Sequence, residues 1–412
     1  MPEALSRDTL AAWDGADPLA PFRARFALPP DVIYLDGNSL GALPKAAEQR
    51  ASQVVQREWG GSLIRAWTAH DWIGLPLRVG GKIGRLIGGA PDSTVVADST
   101  SVNLFKLLAA ALVHSPDRRV ILTEAGNFPT DLYVAQGAVE LLQRGHELRA
   151  VDDPLAALDR DVAVLMLTHV NYRSGAMHDM AAITRAAHEV GALVLWDLSH
   201  SVGAVPLQLA ADEVDLAVGC GYKYLNGGPG APAFLYAAPR LQATLCSPLT
   251  GWLGHAEPFA FSSGFAPAKG IARFIVGTPP VLSLAVLEAG VDLMLDAPMP
   301  ALREKSLRMT DLFIELMQRR CGQSGFALLT PDDPVRRGSQ VSFAHPDGDA
   351  IMQALIERGV IGDFRAPDVL RFGIAPLYVR YVDVWDAVET LRDVMAREAW
   401  RDARFHQPRA VT

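Results

Sequence analysis

ALVLWDLSHSVGAVPLQLAADEVDLAVGCGYKYLNGGPG, residues Ala192 to Gly230, holds the pattern from which the fold can be read. Ala192 to Trp196 is a short, nearly unbroken apolar run after Gly191, as expected of a strand buried on both faces of a parallel sheet. Asp197 ends it. A second apolar run, Leu216 to Val218, leads into Gly219, Gly221, Tyr222 and Lys223. In an open α/β sheet the strand ends face the ligand crevice, so the two polar clusters are expected to meet there.

Taken singly, Asp197 reads as a cap for the next helix and Lys223 as a solvated loop residue. Together they have a sharper use. A carboxylate at the mouth of an apolar strand stays ionised most easily opposite a cationic ring nitrogen, which pyridoxal phosphate supplies. The same cofactor needs a partly desolvated lysine amine for its Schiff base, with small residues around it. Lys223, between Tyr222, Tyr224 and the GGPG turn, fits that description.

Working outward, Thr94 to Ala97 predicts a strand and Val102 to Val113 a helix, with Asp98-Ser99-Thr100-Ser101 between them. Hydroxyls and free N–H groups at a helix N-terminus can hold a phosphate. Arg119 to Thr123 predicts the next strand, followed by Phe128-Pro129-Thr130-Asp131 at the start of a helix through Leu142. Phe128 could staple that helix or stack on a flat ring. Val162 to Thr168 is a further buried strand, ending in His169, Asn171 and Arg173. A metal set of His169, His200 and Asp197 is disfavoured because it lacks ligand spacing such as HExxH. Ala233 to Tyr236 predicts a returning strand.

Earlier in the chain, Val32 to Asp36 leads into Gly37-Asn38-Ser39-Leu40-Gly41, by itself a plain strand-to-helix turn. Three tryptophans between Glu58 and Trp72 read as core or interface residues. Leu284, Leu287, Val291 and Met294 recur at helical spacing. Beyond Arg303 a helix, a strand over Gln340–Phe343, a helix over Ala350–Arg358, a strand and a helix from Val382 to about Arg397 predict a second, α+β domain. In it Arg371 lies among apolar residues and needs an anion, either a structural carboxylate or a bidentate amino-acid carboxylate.

The chain has 412 residues, half of them hydrophobic, a net charge of −8 and three cysteines. That length suits a large core in two domains. No continuous basic face is present, so no nucleic-acid partner is expected. Cys220, Cys246 and Cys321 are too dispersed for a disulfide framework or a zinc knuckle. Without a basic and apolar leader or a run of about 18 apolar residues, a cytoplasmic protein with no membrane partner is expected.

Asp197-Leu-Ser-His200 followed by Gly221-Tyr-Lys223-Tyr-Leu-Asn-Gly-Gly228 resembles the cofactor signature of the kynureninases, as does Tyr34-Leu-Asp-Gly-Asn-Ser-Leu-Gly41 near the start. Cysteine desulfurases and selenocysteine lyases usually carry Gln in place of His200 and His in place of Tyr222. The resemblance runs from Tyr34 to Tyr378. It implies a fold-type I, pyridoxal 5'-phosphate-dependent enzyme of α/β class: a large domain with a mostly parallel seven-stranded sheet flanked by helices, and a smaller α+β C-terminal domain. The expected division is an arm at 1–49 packing with the small domain, a cofactor domain at 50–285 and a small domain at 286–412.

The implied activity is hydrolysis of L-kynurenine, or its 3-hydroxy derivative, to anthranilate or 3-hydroxyanthranilate and L-alanine in tryptophan degradation. The resemblance implies that Thr100 and Ser101 contact the phosphate and that Phe128-Pro129-Thr130-Asp131 is the cofactor loop, with Phe128 over the ring and Thr130 and Asp131 beneath or beside it. Asp197 meets the ring nitrogen and Lys223 forms the Schiff base and takes the α-proton; Tyr222 is the candidate for phosphate contact and proton handling, and His200 for orienting the cofactor. Ser39 and Arg371 meet the substrate. Trp252 in Gly251-Trp-Leu-Gly-His255 and Thr278 in Gly277-Thr-Pro-Pro280 enter the active site of a neighbouring subunit, which implies a homodimer with shared sites. Some family members carry Asn at the Thr278 position, which puts its hydrogen bond in doubt. The competing expectations are a cysteine desulfurase acting through Cys321, at what reads as a helix end, and a non-catalytic binding protein on the same scaffold.

Overall fold

A computed structural model describes residues 5–407. Its strands, in chain order, are β1 (Ile33–Tyr34), β2 (Thr94–Val96), β3 (Val120–Glu124), β4 (Glu147–Val151), β5 (Val162–Thr168), β6 (Leu193–Asp197), β7 (Leu216–Gly219), β8 (Phe234–Ala237), β9 (Ala327–Leu328), β10 (Gln340–Ala344), β11 (Val360–Ile361), β12 (Asp363–Arg365) and β13 (Val369–Gly373). Seven of them form the main sheet in the order β2-β8-β7-β6-β5-β3-β4. Only β8 runs antiparallel to its neighbours.

Composition explains this order. VAVLMLT of β5 is buried at every position, as a strand covered by helices on both faces must be. ELRAV of β4 has no fully buried residue and forms the edge. Helices Thr100–His114 and Pro129–Leu142 pack on each other beside this sheet. The helix Val281–Asp296 packs against Lys45–Gln53 and Leu75–Leu86. Because β5, β6 and β7 are parallel and adjacent in register, Thr168 lies level with Asp197 and Asp197 with Val218. Their C-terminal ends therefore form one rim.

A second sheet has the order β12-β13-β10-β9, antiparallel throughout, and the 23-residue helix Met299–Cys321 packs on it. The N-terminal segment joins this part of the molecule. β1 pairs in parallel with β11, Asp36 bridges to Gly373, and Arg7 forms an ion pair with Asp386. Among the described residues, no helix is long and apolar enough to cross a membrane.

Candidate active site

Thr100, Ser101, Phe128, Thr130, Asp131, Thr168, Tyr172, Asp197, Ser199, His200, Tyr222 and Lys223 line one cavity of about 280 Å³ at the rim of β5, β6 and β7. The sequence analysis placed nine of these residues there; Thr168, Tyr172 and Ser199 were missed.

The wall formed by Thr100 and Ser101 is shaped by backbone. Ser99 caps the helix Thr100–His114, its hydroxyl accepting from the Val102 N–H at 3.4 Å. The residue before the cap, Asp98, has φ +50°, a left-handed conformation unusual for a non-glycine residue. Its carboxylate meets Lys106 Nζ at 2.8 Å, and the fully buried Lys106 also donates to the Phe274 carbonyl at 2.8 Å. This ion pair fixes the turn that exposes the first N–H groups of the helix. Pro129 opens the next helix, where its missing N–H costs nothing, but it does not line the cavity. Phe128, preceding it, stands edge-on to Tyr172 with ring centroids 5.2 Å apart.

Asp197 is buried at the end of β6, its Oδ1 accepting from the Ser199 N–H at 2.7 Å. Burial pushes its carboxyl above the ordinary range, against the opposing pull of that hydrogen bond and of Lys223. Asp131 is pushed well up by its own burial and then by Asp197. Two buried carboxyls facing one cavity are costly as anions unless a cation joins them. His200 is likewise buried, and its Nδ1 has no partner. Burial, with the charges of Lys223 and Arg371, pushes it well down, so it is neutral.

Lys223 follows β7 in an irregular turn, with Nζ 5.9 Å from the centre of the Tyr222 ring. The Cys220 sulfur and then burial push the Tyr222 phenol up, so it keeps its proton through neutral pH. The turn is clasped from the N-terminal segment, where the Gly41 N–H donates to the Tyr222 carbonyl at 2.8 Å. A Cβ at Gly41 would lie 2.3 Å from the Lys223 carbonyl oxygen, so only glycine allows that approach.

Ser39 and Arg371 do not line the cavity but sit beside it. Arg371 is fully buried and its Nη1 donates to the backbone carbonyl of the cavity residue Tyr172 at 2.6 Å. The anion on its fork is Asp363, the residue directly opposite it in the β12–β13 register. Nε meets Asp363 Oδ1 at 2.6 Å, and Nη2 bonds both Asp363 Oδ2 and Ser39 Oγ. Of the two partners considered for Arg371, the structural carboxylate is therefore already present. Arg365, two residues along β12, also meets Asp363, with Nη2 2.8 Å from Oδ2. A hairpin signal was available: DFR and VLRFG flank Ala366-Pro-Asp368, a turn composition that would set Asp363 across from Arg371.

Trp252 and Thr278 are on the surface, outside this cavity. His169 is buried, Nδ1 at 2.9 Å from Ser201 Oγ and its ring edge-on to Trp196, and burial pushes it down to about 3. Arg173 pairs with Asp368 at 3.3 Å. Cys321 does end the long helix, but it is buried and its thiol is pushed up to about 11 by burial.

The chain is similar to known proteins over its whole length. The family model "Kynureninase C-terminal domain" matches residues 302–391. The chain is 54% identical over 414 residues to a kynureninase of Burkholderia mallei and 51% identical to one of Pseudomonas fluorescens, covering 99% of this chain and all of theirs in each case. Solved structures share the fold at lower identity. A cysteine desulfurase from Thermococcus onnurineus NA1 superposes with a TM-score of 0.77 at 16% identity, over 92% of this chain and 98% of that one. The cysteine desulfurase CsdA from Escherichia coli gives 0.78 at 19%, with the same coverage. These two establish the fold alone, whereas more than half of the residues are identical to the kynureninases from end to end: the chain belongs to the kynureninase family.

Proposed function

We propose that this protein hydrolyses L-kynurenine to anthranilate and L-alanine, using pyridoxal phosphate held in the cavity at the rim of β5, β6 and β7. The observation that carries the reading is the convergence on one cavity of a helix N-terminus with two hydroxyls, a buried carboxyl and a lysine amine, in a chain of this family. The group fits. Two buried carboxyls call for a cation, His200 has an unpartnered nitrogen, and the opening of a 15-residue helix suits a phosphate.

When bound, the cofactor supplies an electron sink for the substrate α-carbon. Thr100 and Ser101 would hold its phosphate, and Phe128, Thr130 and Asp131 would bound its ring. Asp197, as an anion, would pair with its ring nitrogen. Neutral His200 would orient it. Lys223 Nζ would hold the cofactor covalently and, once free, would take the proton from the substrate Cα. Water adds at the γ-carbonyl, the Cβ–Cγ bond breaks, anthranilate leaves, and Cβ and Cα take up protons to give alanine. The Tyr222 phenol, protonated and beside Lys223, supplies or relays one of them. Ser39 and Arg371 receive the substrate carboxylate. The same reading divides the chain at about residues 49 and 285, and makes it a cytoplasmic homodimer in which Trp252 and Thr278 serve the neighbour's site. A desulfurase would need a thiolate at this cavity, and none of its lining residues is a cysteine.

The test is to add L-kynurenine to the pyridoxal phosphate-loaded protein and follow anthranilate fluorescence; absence of anthranilate while the cofactor is bound sinks the reading. Tyr222→Phe should keep the cofactor and slow turnover by about 10²-fold, the range of one general acid–base group. An unchanged rate would remove Tyr222 from the proton path.

A pH dependence follows from Asp36. Its Oδ1 is buried without a partner, and burial and then Asp363 raise its carboxyl to about 7, against Ser39, Arg371 and Arg365. A raised folded-state value means the proton is kept below about pH 7 and lost above it, so this group's contribution to folding falls as the pH rises from about 4 to 7. Ionised Asp36 also adds a negative charge near Arg371. KM for L-kynurenine is expected to rise as the pH passes upward through 7, and Asp36→Asn to flatten that rise. Equal pH profiles for the two proteins would exclude Asp36 as the cause.

A further inference from the structure

Arg371 has little left to offer an anion. A guanidinium carries five N–H donors, and four of those on Arg371 are engaged, two by Asp363, one by Ser39 Oγ and one by the Tyr172 carbonyl. Its charge is also cancelled by Asp363, fully buried and locked to it across the strand pair. Burial pushes the Asp363 carboxyl up, but the hydrogen bonds and charge of Arg371, together with Arg365, outweigh this and hold it below its ordinary value. Asp363 is therefore an anion, and Arg371 with Asp363 is a neutral pair. Asp36, beside them, adds negative charge whenever it ionises. The remaining cation of the cluster is Arg365.

Arg365 has the position for the task. Residues two apart on a strand share a face, so Arg365 lies on the same face of β12 as Asp363. One of its Nη2 donors meets Asp363 Oδ2 at 2.8 Å, and Nη1 donates to the Phe364 carbonyl at 3.2 Å. The side chain is 39% exposed, against 2% for Arg371, so it is the more accessible of the two guanidinium groups. Its charge is also felt at the cavity wall, by His200 and beside Tyr172. Asp363 keeps a cationic partner without Arg365, because Arg371 already bonds both of its carboxylate oxygens.

We infer that Arg365 is a substrate-recognition residue, supplying the net positive charge that draws the amino-acid carboxylate to Arg371, while Asp363 is a positioning residue that fixes the Arg371 fork. The inference rests on the functional reading above for the identity of the substrate, but not for the presence of a carboxylate site. With Arg365 in place the cluster holds two guanidinium groups against Asp363 and a partly protonated Asp36. Without it, an arriving carboxylate meets a cluster that is neutral or negative.

The experiment uses the cofactor-loaded protein and two ligands, L-alanine and L-alaninamide, which differ only in the charge of the group that Arg365 would attract. Affinity is read from the change in the cofactor's visible absorption on titration, and KM and kcat are measured in parallel with L-kynurenine. Arg365→Gln is expected to weaken L-alanine and raise KM by about tenfold, with kcat within twofold and L-alaninamide unchanged. Arg365→Lys, which restores the charge, should recover most of that loss; Arg365→Met replaces the glutamine variant if it fails to fold. Unchanged L-alanine affinity overturns the inference, as does an equal loss for both ligands, which would mark a structural role. If the wild type gives no anthranilate but L-alanine binding still depends on Arg365, the functional reading falls and this inference stands.

Discussion

Lys223→Ala is expected to lower the rate of anthranilate formation by at least about 10³-fold, with the protein still folded. The size follows from the double duty that the proposed mechanism gives one amine, as the cofactor's covalent partner and as the base for the substrate α-proton. Two of the other titratable groups lining the cavity are poor substitutes. His200 is held neutral but buried and pushed well down, making it a weak base, and the Tyr222 phenol keeps its proton. Lys223 is only half-buried and makes no side-chain hydrogen bond that others depend on, so the fold should tolerate the change. The measurement is anthranilate fluorescence beside circular dichroism and bound cofactor. A variant retaining a tenth of wild-type turnover would show that another group abstracts the proton.

Asp197→Asn should act in opposite directions on stability and on turnover. Burial holds the Asp197 carboxyl up in the cofactor-free protein, which means that its ionisation opposes folding as the pH rises through and beyond the ordinary carboxylate range. The amide removes that cost while its oxygen can still accept from the Ser199 N–H. The cofactor-free variant is therefore expected to melt at or above the wild-type temperature at pH 8. Turnover should drop by about 10³-fold, because a neutral amide cannot hold a cationic ring nitrogen opposite it. Turnover within tenfold of wild type at full cofactor occupancy would dissociate Asp197 from the ring.

The main sheet was legible wherever burial made a strand uniformly apolar. Val162 to Thr168 is found as predicted, and the strands expected at Ala192–Trp196 and Leu216–Val218 are displaced or extended by one residue, to Leu193–Asp197 and Leu216–Gly219. The edge strand Glu147–Val151 and the helices at Leu75–Leu86 and Met180–Glu189 were not anticipated. Their sequences mix charges with apolar residues, and their identity depends on the surface they cover. At the site, the residues carried by loops directly after strands were readable because each has its neighbours in sequence. Tyr172, in the turn after β5, was missed because nothing in its sequence neighbourhood marks it for the cavity, and Thr168 because a strand register, not a local pattern, brings it to Asp197. The same applies to Asp363: the partner of Arg371 is chosen across β12 and β13, and a lone buried arginine in the sequence does not identify its anion.

The pairing of β1 with β11 has a consequence for how the protein is made. Ile33 is synthesised long before its partner, Val360, so at ordinary elongation rates the segment waits on the order of tens of seconds for its strand. Until then the Gly41 clasp on the lysine turn has no anchored segment behind it, and Asp36 has no Gly373 beside it. The sheet that carries Asp197 and Lys223 can condense first from parts nearer in sequence. The carboxylate cluster, by contrast, is a late event of high contact order, and a nascent chain stalled before β11 would carry a nearly formed cofactor cleft with an open side.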